Sequence, residues 1–301
     1  MSSRFSGFPG FAAIDHAVNG VRLRGRFGGD PAQPAVLLLH GHPESHLMWH
    51  RVAPALARDH FVVAPDLRGY GESERPAQAA DHSGYSKREM ARDCLALMET
   101  LGHRRFFVAG HDRGARVAAR LAADAPERVA GALLMDVAPT VDMYDATTKD
   151  FAVAYWHWFF LIQPAPLPET LIGANPRAYV EGIMGGRHAG LTPFPREVLD
   201  GYIAGFTGAE RARGACEDYR AAATIDLEHD RRDRAQGRLI EPPLRLLWAR
   251  HGVIERLFRP LQLWGELART VSGRALDCGH YLTEERPDDV IAEIRNLVAA
   301  E

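Results

Sequence analysis

The stretch that decides the fold is Phe106–Gly114, which reads Phe-Phe-Val-Ala-Gly-His-Asp-Arg-Gly. An apolar run ends in Gly110-His111-Asp112-Arg113-Gly114, and a helical pattern follows from Arg116. This is the pattern of a buried strand turning sharply into a helix with one residue held at the apex. Glycines flank such an apex because its backbone is strained and neighbouring side chains would clash. A serine there attacks carbonyl carbons, but here the apex is Asp112. A carboxylate can displace a leaving group from a saturated carbon and form an ester. Asp112 is therefore the candidate nucleophile.

Working outward, further strand-like runs lie at Ala35–His40, Phe61–Asp66, Ala130–Asp136, Leu244–Ala249 and Gly273–Asp277. Helical patterns alternate with them at Lys87–Leu101, Arg116–Ala125, Pro260–Ala268 and Asp288–Ala299. That alternation predicts a mostly parallel sheet with helices on both faces, an α/β fold. Ala12–Val18 and Val21–Gly25, joined by Asn19-Gly20, predict a leading hairpin. The alternation breaks between about Pro139 and Thr224, a region rich in aromatic residues that holds the proline cluster Pro164-Ala165-Pro166-Leu167-Pro168. It is read as a helical cap over the carboxyl ends of the strands, where open parallel sheets place their sites. The expected organisation is core at 1–138, cap at 139–224 and core again at 225–301.

His40-Gly41-His42-Pro43 follows an apolar strand, and its turn offers the backbone N–H of His42. With the N–H of Arg113 it would form an oxyanion hole. Asp66–Ser73 is a glycine-containing tight loop with a structural role. A base is also needed. His280, in Asp277-Cys278-Gly279-His280, has the chain order and the post-strand position for it. A histidine base needs a carboxylate to fix its tautomer. Asp136 ends one suitable strand, whereas the loop after Trp248 offers only Glu255, so Asp136 is the candidate. Arg113 and Arg116 stand beside the elbow at a helix amino terminus, where cations are disfavoured. Two of them there point to an anionic substrate, a small carboxylate. In the cap, His157 and Trp158 and, further on, Tyr219 are hydrogen-bond donors that could stabilise a departing halide if they converge. Aromatic packing is the alternative, because spacing does not show convergence.

The chain has 301 residues, 36 basic and 39 acidic, for a net charge of −3. That composition calls for neither nucleic acid nor an acidic membrane as partner. The amino-terminal stretch lacks the apolar core of a leader, and no apolar run approaches the roughly 20 residues that span a bilayer. Cys94, Cys216 and Cys278 are an odd number without a CxxC spacing, which fits buried thiols in a cytoplasmic protein.

Taken together, HGHPESHLMWHRVAPALA, DLRGYGESERP, AGHDRGARVAARLA, LLMDVAPT, YWHWFFLIQPAPLPE, CEDYRA and CGHYLTEERPDD resemble the fluoroacetate dehalogenases of the α/β-hydrolase superfamily. The resemblance covers most of the chain. It implies an α/β-hydrolase fold with a helical cap, Asp112 as nucleophile, His280 as base and Asp136 as its partner. It implies that Arg113 and Arg116 bind the carboxylate of a small haloacid and that His157, Trp158 and Tyr219 bind the halide. A homodimer without cofactor or metal is also implied. Several positions depart from the family pattern. His42 replaces an aromatic, a tyrosine is usual near Met143 and a lysine near Ala154, and a tryptophan is usual around Met184-Gly185-Gly186-Arg187. These changes reshape the pocket wall and leave halide preference and substrate size open. The competing readings are a chloroacetate-preferring dehalogenase, an epoxide hydrolase using Tyr155 and Tyr219, and a non-catalytic ligand receptor.

Overall fold

The computed structural model describes residues 7–300. The first six residues, part of the stretch read for a leader, and residue 301 lie outside the described residues. Eight strands form one sheet: β1 (Ala12–Val18), β2 (Val21–Gly28), β3 (Ala35–Leu39), β4 (Phe61–Pro65), β5 (Phe106–His111), β6 (Val129–Met135), β7 (Leu244–Ala249) and β8 (Val271–Leu276). Their order is β1-β2-β4-β3-β5-β6-β7-β8. β1 pairs antiparallel with β2, and β2 antiparallel with β4. Every pairing from β4 through β8 is parallel. β3, β4, β5 and β6 are buried along their whole length, which is why each reads as a continuous apolar run rather than an alternating one. Edge strand β8 is exposed over Ser272, Gly273 and Arg274, so its start is not written as a continuous apolar run.

The core helices are α1 (Ala53–Leu56), α2 (Lys87–Thr100) and α3 (Arg113–Asp124). Ser86 caps α2 by accepting from the N–H of Glu89. α3 begins three residues earlier than its apolar pattern, at Arg113, because the elbow turns directly into it. Its small residues Gly114, Ala115, Ala118 and Ala122 are buried and allow close approach to the sheet. A Cβ on Gly114 would lie 2.3 Å from the carbonyl oxygen of Leu39, and one on Gly110 would lie 2.4 Å from that of Gly114. Neither position can carry a side chain.

Between residues 140 and 235 the regular structure is all helical, joined by turns and loops: α4 (Thr140–Asp145), α5 (Lys149–Ala154), α6 (Trp156–Leu161), α7 (Leu167–Ala174), α8 (Pro176–Gly185), α9 (Arg196–Ala204), α10 (Ala209–Ala223) and α11 (Ile225–Ala235). Thr224, at φ −129° and ψ −95°, breaks the last two helices apart at the expected end of the cap. Helix α10 meets the core closely: the Gly214 position approaches the backbone of Gly69, so the cap is seated on the strand ends. The chain closes with α12 (Val253–Leu257), α13 (Pro260–Gly265), α14 (Leu282–Glu285) and α15 (Pro287–Ala299). Helix α13 stops three residues short of its predicted end, and the following chain bridges Ala268 to Ile240. Among the described residues no helix is long and apolar enough to cross a membrane. All three cysteines are buried and free.

Candidate active site

Parallel pairing places one end of β3, β5, β6, β7 and β8 at a common edge. Leu39 faces Gly110, His111 faces Met135, and Met135 faces Leu247. The residues that follow these strands therefore meet beneath the cap: His40–Pro43, Asp112, Asp136 and His280.

Asp112 sits at the apex with φ +47° and ψ −109°. A non-glycine residue held there costs on the order of 1–3 kcal/mol, so the surrounding structure must enforce it. The backbone N–H of His42 donates to Asp112 Oδ1 at 3.0 Å. Arg113 opens α3, so its own N–H has no acceptor within the helix. Of the two groups named for the oxyanion hole, the His42 N–H thus touches the Asp112 carboxyl, and the Arg113 N–H is left open at the start of α3. Burial alone would raise this carboxyl, but His280 and His111, when protonated, and the permanently charged Arg113 and Arg116 surround it and hold it well below the usual carboxylate range. Asp112 is ionised.

His280 Nδ1 lies 2.5 Å from Asp136 Oδ2, and both side chains are buried. Asp136 Oδ1 accepts from the N–H of Ala249 at 2.9 Å, so the carboxylate is fixed at both oxygens. Glu255, the other acid considered, instead accepts from Trp248 Nε1. With Nδ1–H donated to Asp136, the base position of His280 is Nε2. Burial pulls the imidazole down from its ordinary value despite the Asp136 hydrogen bond, so the ring is neutral and free to take a proton.

The two arginines beside the elbow have different surroundings. Arg113 is fully buried, and Asp218 on α10 accepts from its Nε and Nη2, each at 2.8 Å. Asp218 also accepts from Tyr70 Oη at 2.7 Å and from Lys87 Nζ. Only Nη1 of Arg113 has no partner within the protein. Arg116 gives Nη1 to Thr140 Oγ1 at 2.7 Å and to the Ala138 carbonyl at 3.1 Å, and Nη2 approaches Met143 Sδ at 3.0 Å. Its Nε is unpartnered. The guanidinium carbons lie 4.0 Å over the ring of Tyr219 and 4.9 Å over that of Trp158, respectively.

The cap donors come together. The rings of His157 and Tyr219 are 5.9 Å apart, and those of Trp158 and Tyr219 are 6.1 Å apart. Trp158 Nε1 and Tyr219 Oη are buried without a partner within the protein. Burial holds the Tyr219 phenol protonated, well above its ordinary value, and drives the His157 imidazole well below its own. Four donor atoms of these residues, Arg113 Nη1, Arg116 Nε, Trp158 Nε1 and Tyr219 Oη, are therefore buried and unsatisfied. Buried polar groups are rarely left so, and an anion lodged among them would satisfy all four. A cavity of about 330 Å³ is bordered by His157 and His280, the cap donor and the base.

Some participants had escaped the sequence. Asp218 stands in Glu217-Asp218-Tyr219 with nothing local to mark it, because its contacts with Arg113 and Lys87 are made only in space. Glu44 Oε2 lies 3.0 Å from His111 Nδ1, and His111 Nε2 lies 2.8 Å from the carbonyl oxygen of His280. His111 thus ties the elbow to the loop of the base. His42 Nε2 is 2.9 Å from Tyr179 Oη, its ring stacks on His157 at 5.8 Å, and its Nδ1 is unpartnered. Burial lowers His42 to about 3, so it is a neutral polar wall where an aromatic was expected. Tyr144, next to Met143, packs on Trp158 at 5.0 Å and leaves its hydroxyl unpartnered beside the arginines. Among the described residues no cluster suits a metal ion.

Residues 34–182 match the family model of the α/β hydrolase fold. The chain is 40% identical to the fluoroacetate dehalogenase of a Burkholderia species over 97% of its length and 95% of that protein's. It is 31% identical to the soluble epoxide hydrolase of Corynebacterium sp. strain C12 over 91% of its length and 92% of the relative's. A crystal structure of an α/β hydrolase from Nostoc sp. PCC 7120 superposes with a TM-score of 0.90 at 47% identity, covering 96% of this chain and 98% of that one.

Proposed function

The chain belongs to the haloacetate dehalogenase family of the α/β hydrolases, and on that premise we propose that it hydrolyses a small haloacetate, fluoroacetate to glycolate and fluoride, through an ester on Asp112. It is a hydrolase acting on carbon–halide bonds. The observation that carries the finer reading is the set of unsatisfied buried donors around an ionised Asp112. A neutral substrate gains little from paired guanidinium groups, whereas a carboxylate accepts from Arg113 Nη1 and Arg116 Nε.

In the first step the Asp112 oxygen not held by His42 attacks the α-carbon in line, and the carbon–halogen bond breaks with its electron pair going to the halide. His157, Trp158 and Tyr219 donate to the leaving ion. Fluoride benefits most, as a poor leaving group and a compact, strong acceptor. Two anions must approach each other in this step, and the guanidinium groups offset their repulsion. In the second step His280 Nε2 takes a proton from water as its oxygen attacks the ester carbonyl of Asp112. The N–H groups of His42 and Arg113 face the oxygen where charge develops. Collapse expels glycolate and restores the carboxylate. Removing one such donor typically costs 10²–10³ in turnover, about 2.7–4 kcal/mol. The resting site is already built to hold an aspartyl oxygen in that position.

The homodimer is part of the same proposal. Leu167 and Leu171 on α7 are more than half exposed and offer an apolar cap surface for a second copy, which sedimentation of the Leu171→Glu protein against wild type tests. The deciding assay for the reaction is incubation with fluoroacetate, chloroacetate and styrene oxide in parallel. Halide release from both haloacetates without diol is expected. Fluoride release far below chloride would mark a chloroacetate-preferring enzyme. Diol alone would favour the epoxide-hydrolase reading, for which the free Tyr219 hydroxyl is the supporting feature.

A further inference from the structure

We propose that the access cavity holds a second anion subsite, built on Arg187, which extends the substrate class to 2-halo dicarboxylic acids such as 2-halosuccinates and 2-haloglutarates. The inference rests on the carbon–halide reading above. Arg187 follows α8, in the segment where the family pattern commonly has tryptophan. It is half buried, with its guanidinium carbon 5.0 Å over the ring of Tyr155. Tyr155 in turn lies 5.8 Å from His157, so Arg187 stands one ring outward from the cap donors.

Of the five buried arginines among the described residues, Arg68, Arg113, Arg120 and Arg220 each face a carboxylate within 2.8 Å, and the fifth, Arg116, is one of the two assigned above to the substrate carboxylate. Arg187 faces none within ion-pair distance among the described residues. The carboxylates of Asp136 and Asp112 act on this guanidinium only from beyond ion-pair distance, which leaves its N–H groups open to a charge-assisted, two-pronged contact. The cavity it borders has no aspartate or glutamate in its lining. Arg256 stands on the same wall, also without a carboxylate partner. At the mouth the rings of His188 and His251 stack at 4.3 Å, and His251 Nε2 is 2.8 Å from Asp277. At about 30 Å³ per liquid water, the cavity of about 330 Å³ holds on the order of ten waters, well beyond what a haloacetate fills. It is a cationic vestibule with its inner end at His157 and His280.

In this arrangement Arg113 and Arg116 take the carboxylate next to the halogen-bearing carbon, and the distal carboxylate points back to Arg187. The bond from Asp112 oxygen to C2 forms as the C2–halogen bond breaks, with the pair leaving on the halide. Water oxygen then bonds to the Asp112 carboxyl carbon and passes a proton to His280. The acyl–oxygen bond breaks, and that proton ends on the substrate oxygen. The products are a 2-hydroxy dicarboxylate, halide and one proton, with water as the only co-reactant.

The test is halide release by the full chain from chloroacetate, 2-chlorobutanoate, 2-chlorosuccinate and 2-chloroglutarate, each chiral acid as its racemate, using wild type, Arg187→Ala and Arg187→Lys. Wild type is expected to favour the better dicarboxylate over 2-chlorobutanoate at least tenfold in kcat/KM. Arg187→Ala is expected to lower that ratio at least tenfold, mainly through KM, and Arg187→Lys to restore part of it. Equal ratios in wild type and Arg187→Ala would overturn the subsite. So would a fall of chloroacetate and dicarboxylate alike in Arg187→Ala, which assigns Arg187 to general attraction of anions. Chloroacetate turnover with no dicarboxylate preference defeats the subsite alone, whereas no halide from any acid defeats the dehalogenase reading and the subsite with it.

Discussion

Asp112 must be ionised, strained and accessible to a second anion at once, and its neighbours explain how. The glycines leave room for the turn, the N–H of His42 holds one oxygen, and the guanidinium groups of Arg113 and Arg116 help keep the carboxyl deprotonated. Replacing it by asparagine removes the attacking oxygen while keeping the shape, and Asp112→Asn is expected to lose halide release entirely in a steady-state assay. His280→Asn spares the first step and blocks the second. Its mass spectrum after exposure to chloroacetate is expected to gain one carboxymethyl group, and normal turnover by this variant would contradict the division of labour. The pH profile follows from the same environment. Burial lowers the His280 imidazole, so the neutral base persists as pH falls through the ordinary imidazole range near 6.5. The acid limb of kcat is therefore expected below that range, and an acid limb above it would assign the limiting proton to another group.

At the scale of elements, the sheet was legible because its central strands are buried on both faces and written as unbroken apolar runs. The chain order of Asp112, Asp136 and His280 was legible too, since each follows a strand and parallel pairing brings strand ends together. Contacts made across the cap were not. Asp218 lies 105 residues from Arg113, and nothing local marks it as the carboxylate that occupies two of that arginine's nitrogens. This buried ion pair gives a strong expectation. Asp218→Asn leaves Arg113 and Lys87 without their shared carboxylate, and removing one partner of a buried pair costs about 3–5 kcal/mol. Urea unfolding is expected to show a loss of that order, and a change under about 1 kcal/mol would mean that the cluster is compensated elsewhere. The elbow gives a second. Gly114→Ala forces a Cβ onto the Leu39 carbonyl, so α3 must move away from β3. Little soluble, folded protein is expected, read by circular dichroism and expression yield.

For the whole molecule, stability should depend on pH in a direction set by what is buried. Burial lowers the imidazoles of His40, His42, His157 and His280, so the unfolded chain binds protons there that the folded chain does not. Their contribution is present above about pH 6.5 and is lost as pH falls toward their folded values. Burial raises Glu44 and Glu284, which act in the opposite sense, their contribution being fully present below the ordinary glutamate range and lost above it. Asp93 and Asp226 are raised as well, while His50, His103 and His229 are also lowered, so seven lowered imidazoles outweigh four raised carboxyls between about pH 5 and 6, each net proton being worth about 1.4 kcal/mol per pH unit. Urea midpoints are expected to fall as pH is lowered from about 6 to about 5, and a midpoint that stays flat or rises on acidification would show that these histidines are protonated in the fold.

The covalent role of Asp112 is tested most directly by a single turnover of chloroacetate, with enzyme in excess, in water enriched in the heavy oxygen isotope. A covalent route predicts unlabelled glycolate, its new oxygen coming from Asp112, and one heavy oxygen in the peptide that contains Asp112. Labelled glycolate with an unlabelled peptide would show that water attacks the substrate directly and would remove Asp112 from the role of nucleophile.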